Sequence, residues 1–294
     1  MLEHQNPEPR NPDRTVLIGG SGFIGTAVTT RLREQGTEVL SLSSKDLDLA
    51  DSASVEKLAG MLKPEDSLVM LSALTPDKGR GVASLMRNLT MAQTVCGALD
   101  KSPCSHVVYF SSDAVYPYTE ALITDDSSAA PTDLYGAMHR TREILFQDVI
   151  TGPLAVLRTT LVYGHGDPHN SYGPNRLRRM AVEGRKITLF GDGEETRDHI
   201  FVDDLISLIV MVLRHRSTGL LNAATGSSTS FFDLAHLVAK QFEPQAEIIC
   251  TPRANPITHR AFDPTNCQKA FPSFRFTPLK EGIARVHRQM MGDN

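Results

Sequence analysis

Two short stretches of the sequence hold side chains that together can move a hydrogen on and off a carbon–oxygen bond. Residues 108–116 read VYFSSDAVY and contain Ser112, and residues 135–139 read YGAMH and begin with Tyr135. A serine followed downstream by a tyrosine on a helix is typical of this chemistry. Because residues i and i+4 of a helix share one face, His139 is expected on the same face as Tyr135.

The glycine spacing in GGSGFIG predicts a dinucleotide-binding site. Gly19, Gly22 and Gly25 follow a short β-branched run and precede a helical pattern. In this context the first glycine makes the tight turn, the second lets a pyrophosphate approach the backbone, and the third lets the helix pack on the strand. The free N–H groups at the helix start favour phosphate, and Phe23 and Ile24 lie in that first turn.

The end of the second predicted strand bears on the choice between NAD and NADP. An acidic residue at this place binds the ribose hydroxyls of NAD. The sequence instead has Ser43, Ser44 and Lys45 there, and its first carboxylate is at Asp46. Two hydroxyls and a cation suit a 2′-phosphate, so the expected cofactor is NAD or NADP, with NADP favoured. The alternative for Lys45 is a solvated loop charge.

The elements that must position these residues alternate between strands and helices. Strands are predicted at 15–20, 38–43, 67–71, 106–112 and 154–158, and helices at 52–62, 82–99 and 135–149. This alternation predicts an α/β fold built on a Rossmann-type, doubly wound parallel sheet.

The pattern changes after Tyr163, where a loop rich in glycine, proline and asparagine is followed by shorter elements. These shorter elements predict a smaller C-terminal α/β substrate-binding domain. The chain is therefore divided into a disordered tail at 1–13, a dinucleotide-binding domain at 14–163 to which 194–222 returns, and a substrate-binding domain at 164–193 and 223–294.

The composition excludes several classes of function. The 294 residues carry a net charge of −4, so no overall basic field attracts nucleic acid or membranes. The four cysteines are widely spaced without a CxxC pair, which indicates neither a metal site nor disulfides and suggests a cytoplasmic protein. The N-terminal residues do not resemble a signal peptide, and the longest apolar run, 205–213, is too short to span a membrane.

Taken in order, these motifs resemble the extended short-chain dehydrogenases/reductases of the NAD-dependent epimerase/dehydratase family, which act on nucleotide-linked sugars. The resemblance rests on GGSGFIG, VYFSSDAVY, YGAMH, LRTTLVYG, LFGDGEETRDHIFVDDL and NAATG, and it extends over nearly the whole chain from Thr15. It implies that Ser112 binds the sugar oxygen and that Tyr135 is the general acid/base. It also implies cofactor contacts by further residues, namely Asp48, Leu49, Ser72, Ala73, Leu74 and Ser111.

At the position of His139 this family has a lysine, which holds the nicotinamide ribose and provides a positive charge. A histidine can still bind a ribose hydroxyl, but with a free pKa of about 6.5 it is mostly neutral at pH 7.5. Tyr135 should then be harder to deprotonate, which favours reduction of a ketone over oxidation of an alcohol. The alternative is a helix residue without a role.

The resemblance also implies a substrate site for a nucleotide-diphospho-sugar. Asn175 corresponds to an amide that contacts the sugar or its diphosphate, and Arg197 to an arginine that binds the pyrophosphate. Asp113 and Thr160 are further expected contacts. The alternatives are a structural pair of Arg197 with Asp203 or Asp204, and a turn cap at Asp113.

Several functions remain open on sequence grounds. Epimerisation at C4 and reduction of a C4 ketone both fit, whereas dehydration lacks its base because Ala114 replaces a glutamate. A non-catalytic dinucleotide-binding scaffold is a further alternative. A homodimer is expected through the helices at 82–99 and 135–149, with Met86, Leu89 and Leu99 as apolar contacts.

Overall fold

A seven-stranded sheet forms the centre of the computed structural model, which describes residues 1–168 and 173–292. The strands are β1 (Glu3–His4), β2 (Arg14–Ile18), β3 (Glu38–Leu42), β4 (Ser67–Met70), β5 (His106–Ser112), β6 (Leu154–Thr159), β7 (Leu161–Tyr163), β8 (Ile187–Phe190), β9 (Thr196–Phe201), β10 (Ser217–Ala223), β11 (Ser228–Ser230) and β12 (Ile248–Thr251).

Helices cover the sheet and fill the connections between its strands. They are α1 (Phe23–Glu34), α2 (Ser54–Ala59), α3 (Val82–Lys101), α4 (Leu134–Val149), α5 (Pro174–Val182), α6 (Val202–Arg214), α7 (Phe231–Ala239), α8 (Thr265–Ala270) and α9 (Leu279–Met291). A short 3₁₀ turn, Asp113–Val115, follows β5.

The strand order of the main sheet is β1-β10-β6-β5-β4-β2-β3, and every pairing except that of β1 is parallel. All residues of β4 and β5 are buried, as expected for strands covered on both faces. The predicted Rossmann-type, doubly wound parallel sheet is therefore confirmed. Because β2 lies between β3 and β4, the order in which strands join the sheet reverses at β2, and the carboxyl ends of β2 and β4 border the crevice where such sheets bind ligands.

The core lies on both faces of this sheet. Along β2, Leu17 packs into one cluster, whereas Val16 and Ile18 pack into the cluster on the opposite face. The second cluster includes Leu99 of α3, which is only 4% exposed. The expectation that Leu99 contributes to a dimer surface is therefore wrong, because its side chain packs inward against the sheet.

Two small sheets follow the main one in the C-terminal part of the chain. One has the order β11-β9-β7, and the other pairs β12 with β8. Between β9 and β11 in the sequence, β10 returns to the main sheet and pairs with β6. The shorter elements predicted after Tyr163 therefore form separate sheets beside the carboxyl ends of the central strands.

The N-terminal residues differ from the expected disordered tail. Glu3 and His4 pair with β10, and the side chain of Leu2 is buried. The two ring nitrogens of His4 are 2.9 Å from the Ser217 hydroxyl and 2.9 Å from the Ala270 carbonyl oxygen. The polar, proline-rich composition suggested disorder, but these contacts to distant parts of the chain fix the segment.

Within the described ranges, no helix is long and apolar enough to cross a lipid bilayer. The same part of the chain contains no cluster of three or more histidine, cysteine or acidic side chains arranged to hold a metal ion.

Candidate active site

The glycine loop between β2 and α1 has the close backbone contacts that its sequence predicts. Gly19 has φ +93°, a conformation that favours glycine, and a Cβ there would lie 2.9 Å from the Ser72 nitrogen. A Cβ on Gly25 would lie 2.2 Å from the Gly19 oxygen. Both glycines are therefore needed for the fold of the loop itself.

Gly22 differs from these two because its side-chain position is nearly open. A Cβ there would meet only the Gly19 oxygen, at 3.3 Å. Gly22 is also the N-cap of α1, and it provides no side-chain cap for the first N–H groups of the helix. An uncapped helix start with open space beside it fits the pyrophosphate of a dinucleotide.

The segment 72–74, which follows β4, forms the neighbouring wall of the crevice. Asn88 of α3 fixes this segment: its Oδ1 accepts from the Leu74 N–H at 2.8 Å, and its Nδ2 donates to the Leu74 carbonyl at 3.1 Å. Arg142 of α4 donates to the Ser72 carbonyl at 2.9 Å. The sequence predicted contacts at Ser72, Ala73 and Leu74, but it did not reveal Asn88 and Arg142, which hold them in place.

The Ser112–Tyr135 pair forms where β5 ends and α4 begins. The Asp133 side chain caps α4 by accepting from the Gly136 N–H at 2.8 Å. A Cβ on Gly136 would lie 2.1 Å from the Ala114 oxygen, so the start of α4 lies directly against the turn after Ser112. This approach places Tyr135 beside that turn, where the Ser112 hydroxyl lowers the pKa of the phenol.

The environment of Tyr135 keeps its hydroxyl protonated. Burial raises the pKa of Tyr135 above its usual value, and the nearby Asp113 carboxylate raises it further. The Arg142 charge and the Ser112 hydroxyl lower this pKa but offset only part of the increase. Tyr135 can thus donate a proton near neutral pH and is a poor base there.

Asp113 follows Ser112 directly and is held by an arginine from the C-terminal part of the chain. Arg260 Nη1 lies 3.5 Å from Asp113 Oδ2, and Arg260 Nη2 donates to the Tyr116 carbonyl at 2.8 Å. Burial raises the pKa of Asp113, although the charges of Arg260 and Arg197 lower it. The sequence did not predict Arg260, which lies on a loop far along the chain.

His139 is buried on the face of α4 that carries Tyr135. The two rings are edge to face with centroids 4.7 Å apart, and the Tyr109 hydroxyl is 2.8 Å from His139 Nδ1. His139 Nε2 has no hydrogen-bond partner within the described residues. Burial, assisted by the Arg142 charge, lowers the pKa of His139 to about 3, so the ring is neutral at pH 7.

Ser111 was predicted to contact the cofactor, but its side chain is hydrogen-bonded within the protein. The Ser111 hydroxyl donates to Glu143 Oε1 at 2.6 Å, and Arg158 makes a two-point contact with the same carboxylate at 2.9 and 2.7 Å. The hydroxyl therefore stabilises the packing of α4 on β5 and β6. A cofactor contact at Ser111 would have to use its backbone.

The residues after β3 form a tight turn. The Ser43 hydroxyl donates to Asp46 Oδ2 at 2.6 Å, and the Ser43 N–H donates to the same oxygen at 2.9 Å. Ser44 and Lys45 are exposed. Asp48 is exposed and accepts from the Ala50 N–H, whereas the Leu49 side chain is buried. Cofactor contacts at these positions stay predictions.

The expected substrate-binding residues occupy different environments. Arg197 Nη2 donates to the Thr258 hydroxyl at 2.8 Å and pairs with Glu195, so its predicted alternative partners, Asp203 and Asp204, are not those observed.

The Thr160 hydroxyl is buried and donates to Asp198 at 3.1 Å. Asn175 contacts Asp167 and accepts from the Gly164 N–H at 3.4 Å.

Four of the predicted residues thus lie together where β5 ends and α4 begins, namely Ser112, Asp113, Tyr135 and His139. The Arg197 charge lowers the pKa of Asp113. Asn175 lies toward the glycine loop, because Gly164, which it contacts, lies beside Phe23: a Cβ on Gly164 would be 3.2 Å from the Phe23 ring. Thr160 is engaged with Asp198 rather than free to contact a ligand.

A family model matches the part of the chain that contains this candidate site. The model of the NAD dependent epimerase/dehydratase family matches residues 15–224. The match includes the glycine loop, the Ser112–Tyr135 pair and Arg197.

Two curated relatives align with most of the chain. The dTDP-L-rhamnose 4-epimerase of Burkholderia thailandensis is 32% identical, and the alignment covers 85% of this chain and 87% of that protein. The dTDP-4-keto-6-deoxy-D-glucose reductase of Streptomyces niveus is 24% identical over 76% of this chain and 77% of that protein. Relatives with epimerase and with reductase names are therefore both similar to this chain.

A solved structure shares the fold. The structure described as MoeE5 in complex with UDP-glucose and NAD superposes with a TM-score of 0.79 at 24% identity, covering 95% of this chain and 99% of that one.

Proposed function

The chain belongs to the NAD dependent epimerase/dehydratase family, and from that premise we propose that it transfers hydride at C4 of a nucleotide-linked sugar, with Tyr135 as the acid/base. The observation that carries this proposal is the packing of the start of α4, which holds Tyr135, against the turn after Ser112: a Cβ on Gly136 would lie 2.1 Å from the Ala114 oxygen. A bound nicotinamide would accept or supply the hydride.

In this proposal each side chain has a defined task. Ser112 holds the sugar C4 oxygen beside Tyr135, and the Tyr135 hydroxyl gives or takes its proton. Gly22 and the first turn of α1 bind the pyrophosphate of the dinucleotide, and Arg197 binds the diphosphate of the substrate. To bind the diphosphate, Arg197 would exchange its contacts with Thr258 and Glu195 for phosphate oxygens, while Glu195 keeps its ion pair with Arg253.

The direct test is native mass spectrometry of the purified protein for bound dinucleotide, followed by a panel of nucleotide-sugars. Turnover of one nucleotide-sugar with interconversion of its C4 configuration would support an epimerase. A protein that binds no dinucleotide at micromolar concentration would contradict the proposal.

A second candidate function is reduction of a nucleotide-4-keto-sugar. The observation that favours it is the neutral His139 beside a Tyr135 phenol whose pKa is raised by burial and by Asp113. Such a pair donates a proton readily and removes one poorly. A cofactor that copurifies and is not consumed would indicate the epimerase, whereas exchangeable NADPH consumed in proportion to product would indicate the reductase.

We further propose that NADP is preferred over NAD. Asp46 accepts a hydrogen bond from Ser43 in the turn after β3, and Ser44 and Lys45 beside it are exposed polar side chains. A hydroxyl and an ammonium group suit a 2′-phosphate.

NADPH should therefore bind at least about tenfold more tightly than NADH, a difference of about 1.4 kcal/mol. Lys45→Asp should reverse the order by replacing an attractive charge with a repulsive one, as isothermal titration with each cofactor would measure. Lys63 is an exposed lysine before the amino end of β4, whereas Lys45 follows the carboxyl end of β3, so Lys63→Asp is the matched control. Equal affinities of the wild type for both cofactors would contradict this preference.

We also propose that two copies associate through the outward faces of α3 and α4, which pack side by side. Val82, Met86 and Ile144 are exposed apolar residues on these faces, at 65%, 55% and 50% exposure. Apolar side chains grouped on adjacent helices are typical of a surface that pairs with its own copy.

Light scattering at micromolar concentration should give twice the 32.2 kDa of one chain. Ile144→Glu together with Met86→Glu should give the mass of a single chain, since two charges would be buried without partners. Val182→Glu changes a residue of similar exposure on α5 and should leave the mass unchanged. A wild-type protein with the mass of one chain would exclude the dimer.

The cysteines support a cytoplasmic location, which we propose on that basis. All four are free, and burial raises the pKa of the Cys96 thiol to about 11 and that of Cys267 to about 12. Unpaired thiols are typical of reducing compartments.

A further inference from the structure

A carboxylate lies between two arginines just before β9. Glu195 Oε1 pairs with Arg197 Nη2, and Glu195 Oε2 accepts from Arg253 Nη1 at 3.1 Å. The Thr258 hydroxyl donates to the same Oε1 at 2.6 Å. The side chains of Arg197, Glu195 and Arg253 are 14, 17 and 16% exposed, so the three charges are largely shielded from solvent.

The guanidinium of Arg197 is already saturated at its two terminal nitrogens. Nη1 donates to the Thr196 carbonyl at 2.8 Å and to the Thr258 carbonyl. Nη2 donates to Glu195 and, at 2.8 Å, to the Thr258 hydroxyl. Because each of these nitrogens carries two N–H groups, an incoming anion can bind them only by displacing a group of the protein.

A short segment connects this network to the turn after Ser112. Arg260 follows Thr258 by two residues, and its backbone N–H donates to the Thr196 carbonyl at 3.1 Å. The Arg260 side chain donates to the Tyr116 carbonyl at 2.8 Å, directly after the 3₁₀ turn that follows β5. The network around Glu195 and the turn after Ser112 therefore lie at the two ends of one segment.

We propose that Glu195 is a resident anion of the substrate site, which occupies Arg197 in the free protein and weakens the binding of strongly charged ligands there. The inference rests on the proposed function, which assigns the substrate diphosphate to Arg197. An entering phosphate displaces the carboxylate from Nη2, while Arg253 retains it through the other oxygen. The charge of Glu195 then lies next to the phosphate, and like charges in a partly buried site repel.

This repulsion gives the site a preference among ligands. Both phosphates of a nucleotide-sugar are diesters, whereas pyrophosphate and nucleoside diphosphates end in a phosphate that loses a further proton near pH 6. The repulsion increases with the charge of the ligand. Glu195 therefore disfavours a free nucleoside diphosphate more than an intact nucleotide-sugar, which is specificity obtained by a repulsive element.

Glu195→Gln tests the proposal, with inorganic pyrophosphate and inorganic sulfate as probes in isothermal titration at pH 8 without divalent cations. The Kd should fall about tenfold for pyrophosphate and only about threefold for sulfate, which carries less charge. Glu194→Gln is the matched control, because Glu194 is 45% exposed and lies 3.4 Å from Arg253 rather than on Arg197. It should change either Kd less than about twofold, as expected for an exposed charge.

Arg197→Gln shows whether the gain arises at this guanidinium. In the Arg197→Gln background, Glu195→Gln should no longer tighten pyrophosphate binding, because the two residues act as a pair. A gain that persists there would place the effect elsewhere and overturn the proposal. If Glu195→Gln instead weakens binding or leaves it unchanged, the carboxylate holds Arg197 ready for its ligand, and the proposal fails.

Glu195→Ala provides a second variant, which removes the charge without an amide and should tighten pyrophosphate binding in the same direction. Melting temperatures show that each variant is folded. If neither the wild type nor either Glu195 variant binds pyrophosphate at millimolar concentration, Arg197 has no anion site, and the proposal is wrong.

These readouts separate the inference from the proposed function, because anion binding is measured without turnover. A protein whose affinity for pyrophosphate increases as expected, but which converts no nucleotide-sugar, would support the inference and contradict the activity. An active enzyme whose Glu195→Gln variant binds both anions as the wild type does would do the reverse.

Discussion

Replacing Tyr135 with phenylalanine should lower kcat by about 10²–10⁴-fold, because it removes the proton donor and acceptor while leaving the ring in place. The Ser112 hydroxyl keeps its hydrogen bond from the Ala114 N–H, so the turn after β5 should persist. Steady-state assays in both directions, with the nicotinamide absorbance as the signal, measure the effect.

The matched control is Tyr163→Phe. Tyr163 is also buried, and its hydroxyl has no hydrogen-bond partner within the described residues, so losing it should leave kcat unchanged. If Tyr135→Phe retains full activity while Tyr163→Phe behaves as expected, the proton path runs elsewhere. If no variant or wild-type protein turns over a nucleotide-sugar, the non-catalytic scaffold becomes the better explanation.

The same tyrosine predicts how the two directions depend on pH. Burial and the Asp113 charge raise the pKa of Tyr135, so the phenol is the dominant form through neutral pH. Reduction uses this protonated form and should be nearly constant near pH 7. Oxidation needs the phenolate and should rise about tenfold per pH unit on the alkaline side until the phenol ionises. Parallel profiles for the two directions would contradict this assignment.

Gly22→Val should abolish dinucleotide binding, with a loss of at least about 100-fold in affinity, or about 2.7 kcal/mol. The added side chain would project into the space beside the uncapped start of α1, where the pyrophosphate must approach the backbone. Gly22 has an ordinary negative φ of −77°, so valine should fit the backbone with only a small shift of the Gly19 oxygen. Fluorescence titration with NADH and NADPH measures the affinity.

The melting temperature distinguishes lost binding from lost folding. Gly152→Val adds the same side chain at a position with no atoms within 4 Å and should change neither affinity nor stability. A Gly22→Val protein that melts like the wild type and still binds NADH and NADPH normally would place the cofactor elsewhere.

The central sheet could be predicted from the sequence because its strands are continuous apolar runs. Leu68, Val69 and Met70 are fully buried on both faces of the sheet, and a run of this kind between turn residues has few other interpretations. The start of α1 was equally predictable, because the glycine spacing marks positions without side chains. In the structure, backbone contacts at Gly19 and Gly25 leave no room for a side chain.

The small sheets could not be predicted in the same way. Strand β9 contains Asp198 and His199, two polar residues that are nonetheless buried. Asp198 is satisfied by the N–H groups and hydroxyl of residues 225–227, which come from another part of the chain. Tertiary hydrogen bonds thus fix β9, for which the local pattern predicts no strand.

The site was predictable only as far as its local motifs extend. Ser112, Tyr135 and His139 lie in two short stretches, whereas Arg260 reaches Asp113 from 147 residues away. Arg142 could have been found, because residue 142 is seven positions after Tyr135 and shares its helical face. Tyr109 gave no such signal, since its place beside His139 depends on how α4 packs on β5.

Strand β1 affects the tendency of this protein to aggregate. An outer strand of a sheet offers unpaired N–H and C=O groups on which another chain can assemble. The two residues of β1 pair with Ser217 and Thr218 of β10 at that edge, and β1 is too short to act as a new template itself. Proteolytic loss of the first few residues should free these backbone groups of β10 and increase the tendency of this edge to aggregate.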